Sequence, residues 1–255
     1  MKKVLLALAL GGLLVTAAQA DFVRVEAGVG MWDQSIAGDV QYNGNPEFTT
    51  DTLGYGSETK PYAWMYVKHF VPILPNLRLE YAAVEFSATT NQSFTFNNQV
   101  FTGSTDSTMT MDQLDAILYY NILDNTAWIT VDLGLDIKSI DGQFQAYSTP
   151  STVNVNESLT LVVPLAYGRG RVEIPGTGIG IEAEGKYIGY DNSKVSDVSI
   201  KADYTLIDMI PFVDLGIEAG YRKQTIKLDA TDISSLDTSL NVDVDGVFLG
   251  IVGRF

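Results

Sequence analysis

The chain of 255 residues contains no cysteine and a single histidine, His69. Zinc centres draw on Cys and His ligands, and Cys/His nucleophile pairs need both residue types, so the composition argues against either kind of site. Basic residues are also scarce, because 16 Lys and Arg stand against 31 Asp and Glu, for a net charge of −15. A nucleic acid is therefore not an expected partner, since binding phosphates requires the opposite charge.

Long apolar runs are confined to the N-terminus. Lys2 and Lys3 precede an apolar stretch that is too short for a membrane span of about 20 residues, and an Ala-Gln-Ala cleavage motif ends at Ala20. The sequence predicts a cleaved signal peptide over 1–20 and one mature domain over 21–255. Cleavage removes two lysines and no acid, so the net charge moves from −15 to −17. No later run is long enough for a membrane helix.

The rest of the chain alternates between apolar and polar residues. In 129–138, isoleucine, valine and leucine occupy every second position from Ile129 to Ile137, and polar residues or glycine stand between them. Alternation over about ten residues, broken by turn-rich stretches, is typical of transmembrane β-strands. Ten such segments are predicted, at roughly 22–33, 60–70, 77–88, 109–120, 127–139, 157–168, 178–190, 197–207, 212–227 and 240–255.

The connections between these segments differ in length on the two sides. Short connections lie at 71–76, 121–126, 169–177 and 208–211. The others are polar and mostly longer, at 34–59, 89–108, 140–156, 191–196 and 228–239, and of these only 191–196 is short. Short turns at one end and long loops at the other are typical of the periplasmic and extracellular ends of an outer-membrane barrel.

Aromatic residues support the same orientation. With this strand order, the apolar face should carry Tyr187 and Tyr221 near the outer ends of the strands. The same face should carry an inner set near the periplasmic ends, formed by Tyr120, Tyr167, Tyr204 and Phe255. Two aromatic girdles are expected where amphipathic rings meet the two membrane interfaces.

The sequence thus predicts an all-β fold, an antiparallel transmembrane β-barrel of ten strands. Eight strands plus an extramembrane hairpin is the first alternative. A soluble periplasmic β-sandwich is the second, because its strands alternate as well, although it requires neither the terminal aromatic residue nor the asymmetric loops.

The alternation does not decide which face of segment 60–70 points into the barrel. Tyr62, Trp64 and Tyr66 share a face with Lys68, and the lysine favours placing that face inside the barrel. The opposite face contains His69.

Segment 240–255 changes its pattern near its start. Its apolar residues occupy even-numbered positions up to Val244 and odd-numbered positions from Val247 onward. The switch at Asp245-Gly246 marks either a β-bulge or the top of the membrane segment. A two-stranded extension above the membrane would also account for a hairpin-type Asn-Gly pair at Asn43.

With a predicted signal peptide, ten alternating segments and a terminal Phe, the chain resembles bacterial (Gram-negative) outer-membrane β-barrel proteins. The resemblance implies export through the periplasm, insertion by the barrel assembly machinery, and outer-membrane lipid and lipopolysaccharide as neighbours. The mature chain also resembles an uncharacterised family of outer-membrane barrels of similar length, with no settled activity. The residues that resemble the C-terminal assembly signal are Val247, Leu249, Ile251, Gly253 and Phe255, where Gly253 replaces the usual aromatic.

A barrel of this size has a lumen filled mostly by its own side chains. By parity, the predicted inward charged residues are Arg24, Glu26, Arg78, Glu80, Asp115, Asp132, Asp136, Lys138, Glu182, Glu184, Lys186, Lys201, Asp203, Asp214, Glu218 and Arg222. One interpretation is a structural network of ion pairs that closes the lumen, because an unpaired buried charge costs several kcal/mol. The other is a narrow polar path that selects what passes.

The leading functional hypothesis is a narrow channel or passive transporter for small solutes. The alternative is a non-conducting structural or surface-binding barrel with its lumen closed by ion pairs. An enzyme is not predicted, because His69, the only imidazole, lies at the periplasmic end, and Glu182 with Glu184 more commonly just line a lumen. No cofactor is predicted, since Gly176-Thr-Gly-Ile-Gly180 lacks the spacing of a nucleotide loop.

The predicted outer loops are acidic, with few cations to balance them. Beside lipopolysaccharide they would repel its phosphates unless divalent cations bridge the two. No stretch has the spacing of a calcium loop, so solubility is the preferred explanation and divalent cations at these loops are the alternative.

Overall fold

The computed structural model describes residues 23–42, 48–71, 73–96, 98–149, 152–210, 213–229 and 238–255. The predicted signal peptide lies outside the described residues. The elements are β1 (Val23–Tyr42), β2 (Phe48–Thr49), α1 (Thr50–Leu53), β3 (Glu58–His69), β4 (Asn76–Ala82), β5 (Glu85–Thr90), β6 (Phe94–Phe96), β7 (Gln99–Phe101), β8 (Thr105–Thr126), β9 (Ile129–Ser148), β10 (Val153–Ile174), β11 (Ile179–Tyr190), β12 (Ser193–Ile210), β13 (Val213–Leu228) and β14 (Thr238–Arg254). Within these residues no helix is long and apolar enough to cross a bilayer.

Ten antiparallel strands close into a barrel. Its order is β1, β3, β4 with β5, and β8 to β14 in sequence, and β14 pairs back onto β1. β4 and β5 form one interrupted barrel strand, because both pair with β8. Phe255 completes the closure by exchanging two backbone hydrogen bonds with Val25, of 2.8 and 3.2 Å. The ten-strand prediction is confirmed, and each predicted segment falls on one barrel strand.

Several strands are much longer than a membrane requires. β8 and β10 have 22 residues each and β9 has 20, whereas about 9–11 residues span a bilayer. The loop predicted at 140–156 is therefore wrong, since β9 and β10 continue through most of it. Polar residues there face outward into water and alternate with buried Phe144 and Val155, so the stretch has a strand pattern.

The predicted loop 34–59 is also largely structured. β1 continues to Tyr42 and pairs with β14 from Ser239 to Asp245, so a two-stranded extension above the membrane exists. β2 adds to β1, and α1 follows with Thr49 as its N-cap and Gly54 in the left-handed conformation as its C-cap. The predicted hairpin turn at Asn43 lies outside the described residues.

The switch at Asp245-Gly246 is a change of environment and not a bulge. β1 and β14 pair without a register shift across it, with Trp32 opposite Phe248 and Ser35 opposite Asp245. On β14 the even-numbered residues face inward throughout, and Val244 is buried on that side. Leu249 faces lipid and is 63% exposed. Apolar residues therefore face outward at membrane level and inward above it.

The face of β3 is also settled by burial. Tyr62, Trp64 and Tyr66 are buried inside the barrel. Gly28 faces Trp64 across the β1–β3 pair, and a Cβ at Gly28 would lie 2.4 Å from the indole Nε1. This glycine leaves the space that the indole fills.

The girdles match the prediction at four of five tyrosines. Tyr187, Tyr221, Tyr120 and Tyr204 face outward and are 42–57% exposed. Tyr167 is the exception, because it is 3% exposed and points into the barrel. The prediction failed there because the segment was ended at 168, whereas β10 continues to Ile174 with its odd-numbered residues inside.

Candidate functional site

The candidate site is the lumen at membrane level, which is filled with charged side chains. Among the described residues, ten carboxylates are buried there with six cations, and Arg222 and Arg254 join them with side chains 13% and 11% exposed. The carboxylates belong to Glu26, Glu80, Asp115, Asp132, Asp136, Glu182, Glu184, Asp197, Asp203 and Glu218. The buried cations belong to Arg78, Lys138, Arg169, Arg171, Lys186 and Lys201.

The upper part of this network joins strands across the lumen. Lys138 on β9 donates to Asp115 on β8 at 2.8 Å and to Asp197 on β12 at 3.1 Å. Asp197 also accepts two hydrogen bonds from the Arg222 guanidinium, of 2.9 and 2.6 Å. Lys186 on β11 bridges Asp115 and Glu80, with 2.6 Å to the latter.

The middle of the network centres on Arg78 and Glu182. Arg78 on β4 contacts Glu80 at 2.6 Å, Glu184 at 2.9 Å and Glu182 at 3.6 Å. Because β4 and β11 lie on opposite sides of the barrel, these ion pairs cross the lumen. Glu182 also pairs with Arg169 at 2.9 Å.

Aromatic side chains complete the middle layer. Glu218 accepts hydrogen bonds from Tyr62 Oη at 2.8 Å, Trp64 Nε1 at 2.9 Å and Lys201 Nζ at 2.9 Å. Lys201 Nζ lies 4.2 Å from the centre of the Trp64 ring, and the Arg78 guanidinium lies 5.2 Å from it. Cation–π contacts of this kind strengthen when water is excluded.

Asp136 differs from the other buried carboxylates. It is fully buried between Ile117 of β8 and Leu165 of β10, both of which are also buried. Neither of its carboxylate oxygens has a hydrogen-bond partner within the described residues. Lys138 and Lys186 influence it electrostatically, but they donate their hydrogen bonds to other carboxylates.

A second, apolar layer lies above the charged one. Phe144 stacks with Phe48 at 5.4 Å and meets Phe96 edge-on at 4.8 Å. Phe94 stacks on Phe101 within the β6–β7 hairpin at 4.8 Å, and it lies 5.6 Å from Phe48, which joins the hairpin to the same cluster. The hairpin and α1 therefore supply side chains that close the upper end of the barrel.

Little space remains inside the barrel. Gln113 on β8 and Gln224 on β13 hydrogen-bond each other at 2.8 Å from opposite walls of the barrel. A cavity within the charged layer, bordered by Trp64, Arg78 and Glu218, has a volume of about 40 Å³. A buried water needs roughly 10–15 Å³ of such space, so this cavity has room for about three waters.

The structure places the predicted lumen residues as follows. Fourteen of the sixteen lie in or beside this network, and the other two lie at the periplasmic rim. Arg24 has a side chain that is 47% exposed and pairs with Glu26 at 2.6 Å. Asp214 is half-buried opposite Arg254.

Sequence reasoning missed four residues of this network, Arg169, Arg171, Asp197 and Arg254. Arg169 and Arg171 fall in the predicted turn 169–177, which rests on Pro175-Gly176, although both arginines occupy odd-numbered positions like the inward-facing Leu165. Asp197 shares the parity of Lys201, so alternation within β12 was a usable signal for it.

His69 has a structural environment at the periplasmic end. Its Nδ1 accepts a hydrogen bond from the Val71 backbone N–H at 3.2 Å, which leaves Nε2 to donate to the Pro75 carbonyl at 3.0 Å. The ring closes the β3–β4 turn. Catalysis that depends on an imidazole at the outer face has no residue to supply it, since the sequence contains one His.

Within the described residues, no group of three or more His, Cys, Asp or Glu side chains is arranged to hold a metal ion. Divalent cations at the acidic loops stay a prediction of the sequence. So does the assembly role of the C-terminal residues, of which Leu249 and Ile251 face lipid and Phe255 closes the barrel.

A closed antiparallel barrel with an apolar outer belt, aromatic girdles and a charged interior defines a transmembrane β-barrel. This architecture spans bacterial outer membranes, and the protein is an outer-membrane β-barrel protein.

No family model and no curated protein matches the chain. Solved structures are similar at low identity. The outer membrane protease OmpT from Escherichia coli has a TM-score of 0.47 and 7% identity, with 93% of this chain and 97% of that chain covered. The translocator domain of the autotransporter NalP from Neisseria meningitidis has a TM-score of 0.42 and 12% identity, with 100% and 98% covered. At these scores the similarities carry no argument about activity.

Proposed function

We propose that this barrel is non-conducting and acts at the cell surface through the part that stands above the membrane. The observation that carries the proposal is the double closure of the lumen. Ion pairs link opposite walls at membrane level, and an aromatic cluster fills the barrel above them. A path for solutes would have to disrupt both layers.

The charged layer also resists opening. Arg78 is held by three carboxylates, and separating one such ion pair leaves a buried charge without compensation, at a cost of about 3–5 kcal/mol. This cost favours a rigid, plugged barrel over a narrow channel, the function that the sequence suggested first.

The upper wall formed by β5, β8, β9 and β10 offers a polar surface. On its outer face Ser87 hydrogen-bonds Thr108 at 3.0 Å, and Gln143 donates to Asn156 at 2.9 Å. Within the described residues this face carries no Lys or Arg above the belt. A wall rich in hydroxyl, amide and carboxylate groups suits a partner that is recognised by hydrogen bonds.

Single-channel recording tests the closure. The mature chain, refolded in detergent and shown to be folded by a heat-sensitive gel shift, is expected to leave a planar bilayer silent at two salt concentrations. A general porin in the same bilayer serves as the positive control. Discrete steps that scale with salt would contradict the proposal and restore the channel hypothesis.

Trimming the β9–β10 hairpin tests the surface role. Replacing residues 144–157 with a two-residue Asn-Gly turn keeps Gln143 opposite Ser158, as in the native register. Cells displaying the full chain are expected to bind a subset of a glycan and matrix-protein array, and the trimmed chain to lose that binding while keeping its gel shift. Equal binding by the two chains would remove the β9–β10 wall from the proposal.

A further inference from the structure

The cations of the mature chain are distributed unevenly. Eight of the fourteen Lys and Arg residues after position 20 belong to the lumen network, and all fourteen lie within the described residues. Arg24 and Lys68 lie at the periplasmic end, and Lys60 pairs with Glu58 and Glu85 at 3.5 and 3.1 Å. The remaining three face outward together on β12 and β13, and they are Lys194, Lys223 and Lys227.

These three lysines lie directly above the lipid-facing belt. Three cross-strand pairs of β12 and β13 share this outward face. From the membrane upward they are Ile200 with Tyr221, Val198 with Lys223 and, four residues further along each strand, Lys194 with Lys227. Val198 and Ile200 are 55% and 56% exposed, as lipid-facing residues are. The lowest of the three lysines, Lys223, therefore lies level with Val198, where the lipid-facing apolar belt ends.

Ser196 and Thr225 pair with each other between the lysines and share their outward face. Tyr187 of β11 lies opposite Ser196 and is 57% exposed, so the upper aromatic girdle borders the same patch. The patch thus combines amines and hydroxyls at the height of the lipid headgroups.

Lys194 and Lys227 form a like-charged pair. Residues directly opposite on antiparallel strands have Cβ atoms about 4.5–5.5 Å apart, and like charges there are destabilising. Within the described residues neither lysine makes an ion pair. A bound anion would offset this repulsion, because one phosphate can accept hydrogen bonds from both amines.

Lys223 differs because it has a carboxylate partner. It pairs with Asp243 at 3.2 Å, and Thr225 donates to the same carboxylate at 2.5 Å. Although partial burial opposes the shift, these contacts lower the pKa of Asp243, so it stays ionised. Asp243 therefore pairs directly with Lys223. Lys194 also stabilises the Asp243 charge from farther away, but within the described residues it makes no direct ion pair, so the ammonium groups of Lys194 and Lys227 stay available to an anion.

We propose that Lys194 and Lys227, with Ser196, bind a phosphate group of the phosphorylated glycolipid in the outer leaflet, lipopolysaccharide. The height of the patch matches the headgroup layer, and its charge is opposite to that of the otherwise acidic exterior. Each lysine near an anionic membrane surface is expected to raise the affinity for the lipid about fivefold. The site would hold the lipid beside β12 and β13 and would order the headgroups around the barrel.

The test measures binding of lipid A to the refolded full chain in detergent, with EDTA present to remove bridging cations. Lys194→Gln/Lys227→Gln is expected to weaken binding at least twentyfold. Arg24→Gln/Lys68→Gln, which makes the same change in charge at the periplasmic end, is expected to leave it unchanged. Lys194→Arg/Lys227→Arg is expected to retain it. A gel shift verifies the fold of each variant.

Two further probes identify the ligand. Dephosphorylated lipid A is expected to bind wild type and the glutamine variant equally weakly. Inorganic phosphate at millimolar concentration is not expected to compete with lipid A. Equal binding of lipid A by wild type and the glutamine variant would overturn the proposal. Full competition by inorganic phosphate would also overturn it, because the patch would then be a site for free anions.

Discussion

Replacing Arg78 with alanine is expected to destabilise the folded barrel by about 3–5 kcal/mol or to prevent refolding. The guanidinium contacts Glu80, Glu182 and Glu184, and all four groups are buried. Removing one member of a buried ion-pair network leaves charge without compensation in a medium that solvates it poorly. Urea unfolding of the refolded protein, followed by the heat-sensitive gel shift, measures the effect.

Arg24→Ala is the matched control for this prediction. Arg24 also pairs with a glutamate, but its side chain is 47% exposed, so its loss is expected to cost less than about 1 kcal/mol. Arg78→Met combined with Glu184→Gln should recover part of the loss, because both changes remove charge at similar volume. If Arg78→Ala costs no more than Arg24→Ala, the lumen is hydrated and the closure that supports the proposed function fails.

Replacing Phe144 with alanine is expected to release the upper cap without opening the membrane-level lumen. Phe144 is buried against Phe48 and Phe96, and truncation of a buried phenylalanine costs about 3–5 kcal/mol. The loss should appear as faster cleavage within 91–104 by a protease added outside intact cells. The heat-sensitive gel shift should persist, because the ion-pair network lies in a separate layer.

Tyr147→Ala provides the comparison on the same strand. Tyr147 faces outward and is 46% exposed, so its truncation leaves no internal cavity and should not change cleavage. Loss of the gel shift in Phe144→Ala would contradict the two-layer description, because it would show that the apolar cap and the charged layer unfold together.

The sequence predicted the strands well because their signal is local. Each residue of a barrel strand faces either lipid or lumen, so alternation reports the strand directly, as from Ile129 to Ile137. The same rule failed where the environment inverts. Above the membrane the outer face is polar and the inner face is apolar, so the stretch containing Phe144 and Val155 was assigned to a loop.

Strand ends were the weaker part of the prediction, with direct consequences for the site. Ending a segment at 168 placed Tyr167 toward lipid and left Arg169 and Arg171 in a turn. Both arginines are buried in the lumen and pair with carboxylates of other strands, Arg169 with Asp132 of β9 and Arg171 with Asp203 of β12. A strand predicted to continue to residue 174, with its odd-numbered residues inside, would have assigned all three residues correctly.

The sequence by itself determined that this chain is a ten-stranded barrel with its charges inside, because strand number and facing depend on the near-neighbour pattern. Only the tertiary structure decided which charges meet across the lumen. The closing contacts join residues far apart in the chain, as Tyr62 and Glu218 do across 156 positions. Which charges meet depends on barrel closure and on the stagger of the strands, and neither is encoded in any single segment.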